Sequence, residues 1–357
     1  MPKPPSKPKA KSAAKPRPKP HAGPRTANTA APVHFHWTGF RPLFDFWGNE
    51  IKRYYKLETL ASATEYMIST KKDRWLLPGV QMVLGPAPVV SLSFELFQEG
   101  RYQLIFHLKA VNARRKQAEF AFVAAKQGDE YSTIAMAEHA NLIALHRRAP
   151  NHVVKPFTGG TIYLPDRYGR VEKGREVYTY LTQWLSVYHE LGVTRNLQFY
   201  INVKTPHTFT IAQTEAIKAQ MIDTVVRSFD PEKGECMTMP EIASGDFVVT
   251  WPKGRNDIPK IKLIACRKML RRMTPVKVID AIAGASWDWA GQRVHLTPED
   301  PAMLYAGFVA ALGKEQARAW FEQYVQALTT RRLRERAALP LEVAREIASG
   351  HVPPAKL

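Results

Sequence analysis

The chain has few cysteines and no long apolar run. Only Cys236 and Cys266 are cysteines among its 357 residues, too few for a disulfide framework or a four-thiolate zinc site. We therefore expect two buried thiols in a reducing compartment. No stretch approaches the roughly 18 apolar residues that cross a bilayer, and the amino terminus lacks the apolar run of a secretory signal. These absences predict a cytoplasmic protein.

Acidic residues are missing from residues 1–32, which are rich in proline, alanine and lysine. After Met1 this segment has no large apolar residue, so it cannot offset the entropy of ordering, and we expect a disordered tail. Its eight basic residues are Lys3, Lys7, Lys9, Lys11, Lys15, Arg17, Lys19 and Arg25. The tail fits a nonspecific nucleic-acid arm that gains from counterion release, a solubilising extension, or a transit peptide.

Positive charge extends beyond the tail. The formal net charge is +19, from 51 Lys and Arg against 32 Asp and Glu, and fewer than half of the excess charges lie in residues 1–32. One further cluster, on a segment that we predict to be helical, comprises Arg267, Lys268, Arg271 and Arg272, and another comprises Arg331, Arg332, Arg334 and Arg336. With tail residues such as Lys7, they could form a footprint for nucleic acid, or simply a solvated surface. No helix-turn-helix, zinc-finger or RNA-recognition motif accompanies them.

The length and the 45% hydrophobic content allow one large core or two ordinary ones. We divide the chain into five parts by composition and pattern. They are the tail (1–32), an aromatic-rich extension packed on the body (33–89), a β-rich lobe (90–190), a mainly helical lobe (191–330) and a basic carboxy-terminal helix and tail (331–357).

Alternating and helical periodicities predict the order of elements in the body. Three strands (Val90–Phe97, Tyr102–Val111, Glu119–Ala125) precede a helix (Asp129–Arg148) and two more strands (His152–Phe157 leading into Thr161–Leu164, and Glu176–Trp184). Later helices are predicted over Ile211–Phe229 and as a hairpin from Ala302 to Leu328 that turns at Gly313, with an earlier helix over Glu50–Thr70. A short strand hairpin, with Ile261–Ile264 as its second strand, interrupts the helical part.

Three short motifs fall within this order. Phe122-Val123-Ala124-Ala125-Lys126 ends the third strand in a lysine, Glu138 lies on the helix that follows, and Ala243-Ser244-Gly245-Asp246-Phe247 precedes the late hairpin. Together with the element order, these motifs resemble the protein-kinase-like fold, in particular its aminoglycoside-phosphotransferase-like branch, over about residues 90–330. The resemblance implies an α+β fold with two lobes: a small antiparallel β lobe with one helix, and a larger, mainly helical lobe.

The resemblance also implies roles for these residues. Lys126 would bind the α- and β-phosphates of ATP, Glu138 would be its ion-pair partner, and Asp246 would accept the proton of a substrate hydroxyl, with ATP and magnesium as cofactors if the protein is active. The backbone after Glu176–Trp184 would meet the adenine.

Three departures from the family pattern argue against catalysis. Ala265-Cys266-Arg267 stands where an acid that holds magnesium belongs, Trp251 stands where a metal-binding Asn is expected, and Gly100 is a single glycine where a glycine-rich loop is expected. Because phosphoryl transfer depends on positioned metal ions, we predict a catalytically degenerate nucleotide-sensing or scaffolding module. An active small-molecule phosphotransferase and a nucleic-acid-associated binding protein are the alternatives.

Overall fold

The computed structural model describes residues 32–39, 56–100, 102–126, 129–165, 175–193, 198–201, 205–237, 244–284, 286–289, 292–295, 301–330 and 337–352. Residues 1–31, Ala243 and the arginine cluster at 331–336 lie outside these ranges. The contacts divide the chain into Met1–Pro32 and Val33–Leu357, and every element below belongs to the second unit. Among the described residues, no helix is long and apolar enough to span a membrane.

A six-stranded sheet forms the first half of the body. Its strands are β1 (His34–Thr38), β2 (Val89–Glu99), β3 (Gln103–Asn112), β4 (Gln117–Ala125), β5 (Pro156–Leu164) and β6 (Arg175–Gln183). They lie in the order β1-β2-β3-β4-β6-β5. Strand β1 is parallel to β2 and all other pairs are antiparallel. The predicted succession of three strands, a helix and two strands is confirmed, within a few residues at each end.

Helices cover both faces of this sheet. They are α1 (Leu57–Ser69), α2 (Leu76–Leu84) and α3 (Asp129–Arg148), the last with the bounds predicted from its periodicity. Phe122 of β4 stacks on Trp75 at the start of α2. The next residue, Val123, lies beside Tyr180 of β6, whose hydroxyl bonds to Glu138 of α3. Successive residues of a strand point to opposite faces, so α2 and α3 lie on opposite sides of the sheet.

The second half of the body is a mixture of strands and helices. Its strands are β7 (Tyr188–Val193), β8 (Phe199–Ile201), β9 (His207–Thr208), β10 (Cys236–Met237), β11 (Phe247–Thr250), β12 (Ile261–Leu263), β13 (Met269–Leu270), β14 (Ser286–Trp289) and β15 (Gln292–His295). Its helices are α4 (Ile211–Ser228), α5 (Pro275–Ala283), α6 (Pro301–Leu312), α7 (Lys314–Ala327) and α8 (Leu341–Ser349). A five-stranded sheet has the order β12-β11-β7-β8-β9. The whole is therefore a mixed α+β fold.

Several predictions for this half are confirmed and one is wrong. Strands β11 and β12 form the predicted short hairpin, and Gly313, with φ of 79°, separates α6 from α7. Helices α4 to α7 make up most of the secondary structure described within residues 191–330, although short strands lie between them. The segment of Arg267, Lys268, Arg271 and Arg272 is not a helix, because Met269 and Leu270 pair with β10 as a strand. Its basic residues therefore do not share one helical face.

Helix α4 begins with a reciprocal cap. The Thr210 hydroxyl accepts the Gln213 N–H at 3.2 Å, and the Gln213 side-chain oxygen accepts the Thr210 N–H at 3.0 Å. We expect Thr210→Ala to lower the free energy of unfolding by about 1 kcal/mol, because a helix-start N–H loses its partner. Urea unfolding at constant m-value measures the loss. Thr210→Ser keeps the hydroxyl and should be close to wild type; an equal loss in both variants would contradict a capping role.

Candidate functional site

Lys126 forms an ion pair with Glu99 and not with Glu138. Its ammonium lies 2.8 Å from a Glu99 carboxylate oxygen and 3.3 Å from the Gly100 carbonyl. Glu99, Leu104 and Ala124 lie side by side across β2, β3 and β4, hence on one face of the sheet, and Lys126 is two residues beyond Ala124. Alternation along the strand therefore directs Lys126 away from α3, and the expected Lys126–Glu138 pair does not form.

Glu138 is completely buried where α3 crosses the sheet. Gln103 of β3 donates a hydrogen bond to one carboxylate oxygen at 2.7 Å, and the Tyr180 hydroxyl donates to the same oxygen. The other oxygen lies 3.5 Å from Nε of Arg267. The helix glutamate that sequence analysis singled out is therefore held by a glutamine, a tyrosine and an arginine, none of which was predicted to contact it.

Arg267 joins Glu138 to Asp246. Its two terminal nitrogens donate to the two Asp246 carboxylate oxygens at 2.8 and 3.0 Å, in a bidentate arrangement. The guanidinium also lies 5.4 Å from the centre of the Tyr102 ring. Two of the three predicted site residues, Glu138 and Asp246, thus converge, and they do so on a residue that was predicted to face nucleic acid. We refer to Glu138, Arg267 and Asp246 as the carboxylate–arginine triad.

Backbone and side-chain contacts hold the triad in place. Asp246 ends a single 3-10 turn, Ser244–Asp246, and its carbonyl accepts the Ile264 N–H at 2.8 Å. The side-chain amide of Asn141, one turn along α3 from Glu138, donates to the Cys266 carbonyl at 3.0 Å. The segment that carries Arg267 is therefore tied both to α3 and to the β11–β12 hairpin.

Burial and neighbouring charges shift the pKa values of Glu138, Tyr180 and Arg267. Burial raises the pKa of Glu138, and the nearby Arg267 charge and the bonds from Tyr180 and Gln103 oppose the rise. The pKa of Tyr180 is far above its usual value, first because it is buried and second because Glu138 is close. Burial disfavours the charged form of Arg267, but Asp246 and Glu138 outweigh it and raise its pKa.

Both cysteines are buried, as predicted. Burial raises the pKa of Cys266 to about 12 and that of Cys236 to about 11. Such thiols stay protonated at neutral pH and are poor nucleophiles.

Comparison with solved structures gives a weak likeness of fold. No family model and no curated protein matches this sequence. Among solved structures the chain is similar to one described as a complex of Neurospora crassa PAN2 (WD40-CS1) with PAN3 (pseudokinase and C-term). The TM-score is 0.31 and the identity 13%, over 83% of this chain and 68% of that chain. At this level of similarity we infer function from the residues of this chain alone.

The residues present do not fit a magnesium nucleotide. The positively charged guanidinium of Arg267 lies against the carboxylates of Asp246 and Glu138, where a cation would have to bind, and Lys126 faces Glu99. Within the described ranges, no group of three or more His, Cys, Asp or Glu side chains is arranged to hold a metal ion. Trp251, which sequence analysis noted in place of an expected metal-binding Asn, packs on the rings of His189 and His207.

The other members of the basic cluster are exposed. Lys268, Arg271 and Arg272 lie at the surface, and the Arg271 side chain is 84% exposed, 3.5 Å from Glu235. The predicted nucleic-acid contacts Lys7, Lys9, Lys11, Lys15, Arg17 and Lys19, and the cluster at 331–336, are outside the described residues. Of the four basic residues between positions 267 and 272, all of which the structure describes, Arg267 alone is partly buried.

Proposed function

We propose that this chain is a kinase-like module that is catalytically degenerate and acts by binding other molecules, as a scaffold, and not by transferring phosphate. The proposal includes two lobes, a β-rich lobe over residues 90–190 and a mainly helical lobe over residues 191–330. Its support is the order of β2, β3, β4, α3, β5 and β6, together with the meeting of Glu138 and Asp246 at one place.

The bidentate pairing of Arg267 with Asp246 carries the proposal. A general base must lie within hydrogen-bond reach of the substrate proton, whereas the Asp246 carboxylate is turned towards the Arg267 guanidinium, which donates to both of its oxygens. Catalysis would also need a metal ion to neutralise charge on the phosphates, and the guanidinium repels a second cation. The guanidinium of Arg267 thus occupies the place of a cofactor cation. It also holds Asp246, the residue that would accept the substrate proton in an active enzyme.

Thermal unfolding with ATP and magnesium tests the proposal. We expect no rise in the unfolding temperature of the wild-type protein at millimolar nucleotide, since a ligand stabilises a protein only if it binds the folded state. A nucleotide-sensing module would instead be stabilised, and Lys126→Ala would reduce that stabilisation while Lys277→Ala, at an exposed position, would not. Transfer from labelled ATP to a hydroxylated substrate, lost in Asp246→Ala, would overturn the proposal.

A second variant checks the role assigned to the arginine. Arg267→Asp places three carboxylates together, so we expect it to be unstable without metal and to gain thermal stability with magnesium, whereas the wild-type protein should show no gain. Arg271→Asp is the matched control, because Arg271 is exposed. If magnesium leaves Arg267→Asp unchanged, the arginine does not occupy a cation site.

A further inference from the structure

The loop between β11 and β12 is strongly exposed and is held by several hydrogen bonds. It spans residues 251–260 and is closed by a pair of bonds between Thr250 and Lys260, each 2.9 Å long. Within it, the Asp257 carboxylate accepts the Lys253 N–H at 2.8 Å. The Gln213 amide, at the start of α4, donates to the carbonyls of Gly254 and Asp257 at 3.1 and 3.0 Å. Hydrogen bonds thus hold the loop backbone both at its ends and in its middle.

Trp251 begins this loop and is 46% exposed. Its ring lies 5.0 Å from the ring of His207, at an interplanar angle of 34°, and 5.9 Å from that of His189, which meets it edge-on. The two histidines belong to β9 and β7 of the five-stranded sheet. Packing on two rings holds the indole in one orientation although nearly half of it contacts solvent, and a large aromatic ring held in this way is suited to stack on a flat partner.

Three cationic residues share the loop with this tryptophan. Lys253, Arg255 and Lys260 are exposed and lie within nine residues of Trp251 on the same closed loop. The single acid of the loop, Asp257, uses its carboxylate to hold the backbone. The surface therefore has a local positive charge, in a chain whose formal net charge is +19, and it is complementary to a chain of phosphates.

We propose that residues 251–260 bind single-stranded nucleic acid, with a base stacked on Trp251 and neighbouring phosphates paired with Lys253, Arg255 and Lys260. An aromatic platform beside cations is the usual arrangement of sites that bind single strands without strong sequence preference. A duplex does not fit equally well, because its bases are already stacked and offer no free face. None of these residues belongs to the carboxylate–arginine triad, so the site can be tested separately from it.

Fluorescence anisotropy of a labelled oligouridine with the full chain tests the site. We expect Trp251→Ala to weaken binding about tenfold, the usual cost of losing one stacked base, while Trp251→Phe keeps most of the affinity because it keeps an aromatic face. Tyr163→Ala, which removes a half-exposed aromatic from β5, is the matched control and should bind like wild type. Thermal unfolding of each variant must match the wild type before affinities are compared.

Charge reversal supplies a second, independent readout. Arg255→Glu should weaken binding and make its dependence on salt concentration less steep, since one phosphate contact is lost; Lys109→Glu, at an exposed position of β3, should weaken binding less. Equal affinity for a duplex of the same length, or no effect of Trp251→Ala, would show that binding is only electrostatic and would overturn the proposal. Competition by oligoglutamate as effective as that by oligouridine would also overturn it, in favour of an acidic protein partner.

Discussion

Replacing Arg267 by methionine is expected to lower the free energy of unfolding by about 3 kcal/mol at neutral pH. The variant leaves the carboxylates of Glu138 and Asp246, 0% and 4% exposed, without the guanidinium that contacts both. Removing one partner of a buried ion pair typically costs about 3 to 5 kcal/mol, because the remaining charge is uncompensated. We take the lower end, since the Arg267 side chain is 27% exposed and water can replace part of the lost interaction.

The free energy of unfolding that Arg267→Met loses should depend on pH, because Glu138 ionises in the buried site. Burial raises the pKa of Glu138 above its ordinary value of 4.5, and Arg267 opposes that rise, so the Arg267→Met variant has the higher Glu138 pKa. A carboxyl whose pKa is raised in the folded state binds its proton more tightly there than in the unfolded chain, so stability falls as pH increases through that interval. The difference between variant and wild type should therefore be larger at pH 8 than at pH 5.

Urea unfolding at these two pH values measures both effects, and a double variant isolates their cause. Glu138→Gln keeps an oxygen that can accept the bonds of Gln103 and Tyr180 but removes the charge, so adding it to Arg267→Met should recover part of the loss at pH 8. Arg271→Met, at an exposed ion pair, should cost less than about 1 kcal/mol. If the pH dependence of Arg267→Met equals that of the wild type, the buried charge is not the source of the loss.

The sequence predicted the order of the elements better than it predicted which side chains meet. Strands β2 to β4, α3 and the hairpin β11–β12 follow from local patterns, because alternation and helical periodicity depend on neighbouring residues. The ion pair of Lys126 did not follow, since a shift of one position along β4 moves a side chain to the other face. A motif that ends in a lysine cannot specify that face unless the register of the neighbouring strand is known.

Arg267 shows a second limit. Four basic residues at spacings of three and four predict a helix with a charged face, yet Met269 and Leu270 pair with β10, and Arg267 points into the protein. Its partner Glu138 is distant in sequence, on α3, and the contact depends on how the segment after β12 packs against that helix. The pairing of this segment with β10 outweighed its local preference for a helix, and local sequence patterns do not predict such long-range pairing.

Gly159 and Gly160 are consecutive glycines in β5 whose role the sequence analysis did not address. Gly159 and Gly160 separate the two predicted strand segments, but the strand runs without interruption from Pro156 to Leu164. Neither glycine has a positive φ, so the requirement is for space. A Cβ on Gly159 would lie 2.8 Å from His139 of α3, and one on Gly160 would lie 2.3 Å from the Trp75 ring at the start of α2. Helices that pack on both faces of the sheet therefore require glycine at both positions.

Gly160→Ala should accordingly lower the free energy of unfolding by about 3 kcal/mol, at the upper end of the usual cost of overpacking a core. Trp75 cannot easily move away: it is 5% exposed and stacks on Phe122, and its carbonyl accepts the Thr158 hydroxyl at 2.7 Å. Urea unfolding measures the loss. Gly254→Ala is the matched control, since an added Cβ there meets nothing within 4 Å, and it should change stability by less than about 0.5 kcal/mol.

A double variant distinguishes a clash with the ring from a general weakening of the strand. Trp75→Leu alone should destabilise the protein because it leaves a cavity between α2 and the sheet. In the Gly160→Ala background that same cavity accepts the new methyl group, so the two losses should be less than additive by at least about 1 kcal/mol. Strict additivity would mean that Gly160 is needed for its backbone and not for the room it gives Trp75, and the explanation of the glycine pair by helices on both faces would then be wrong.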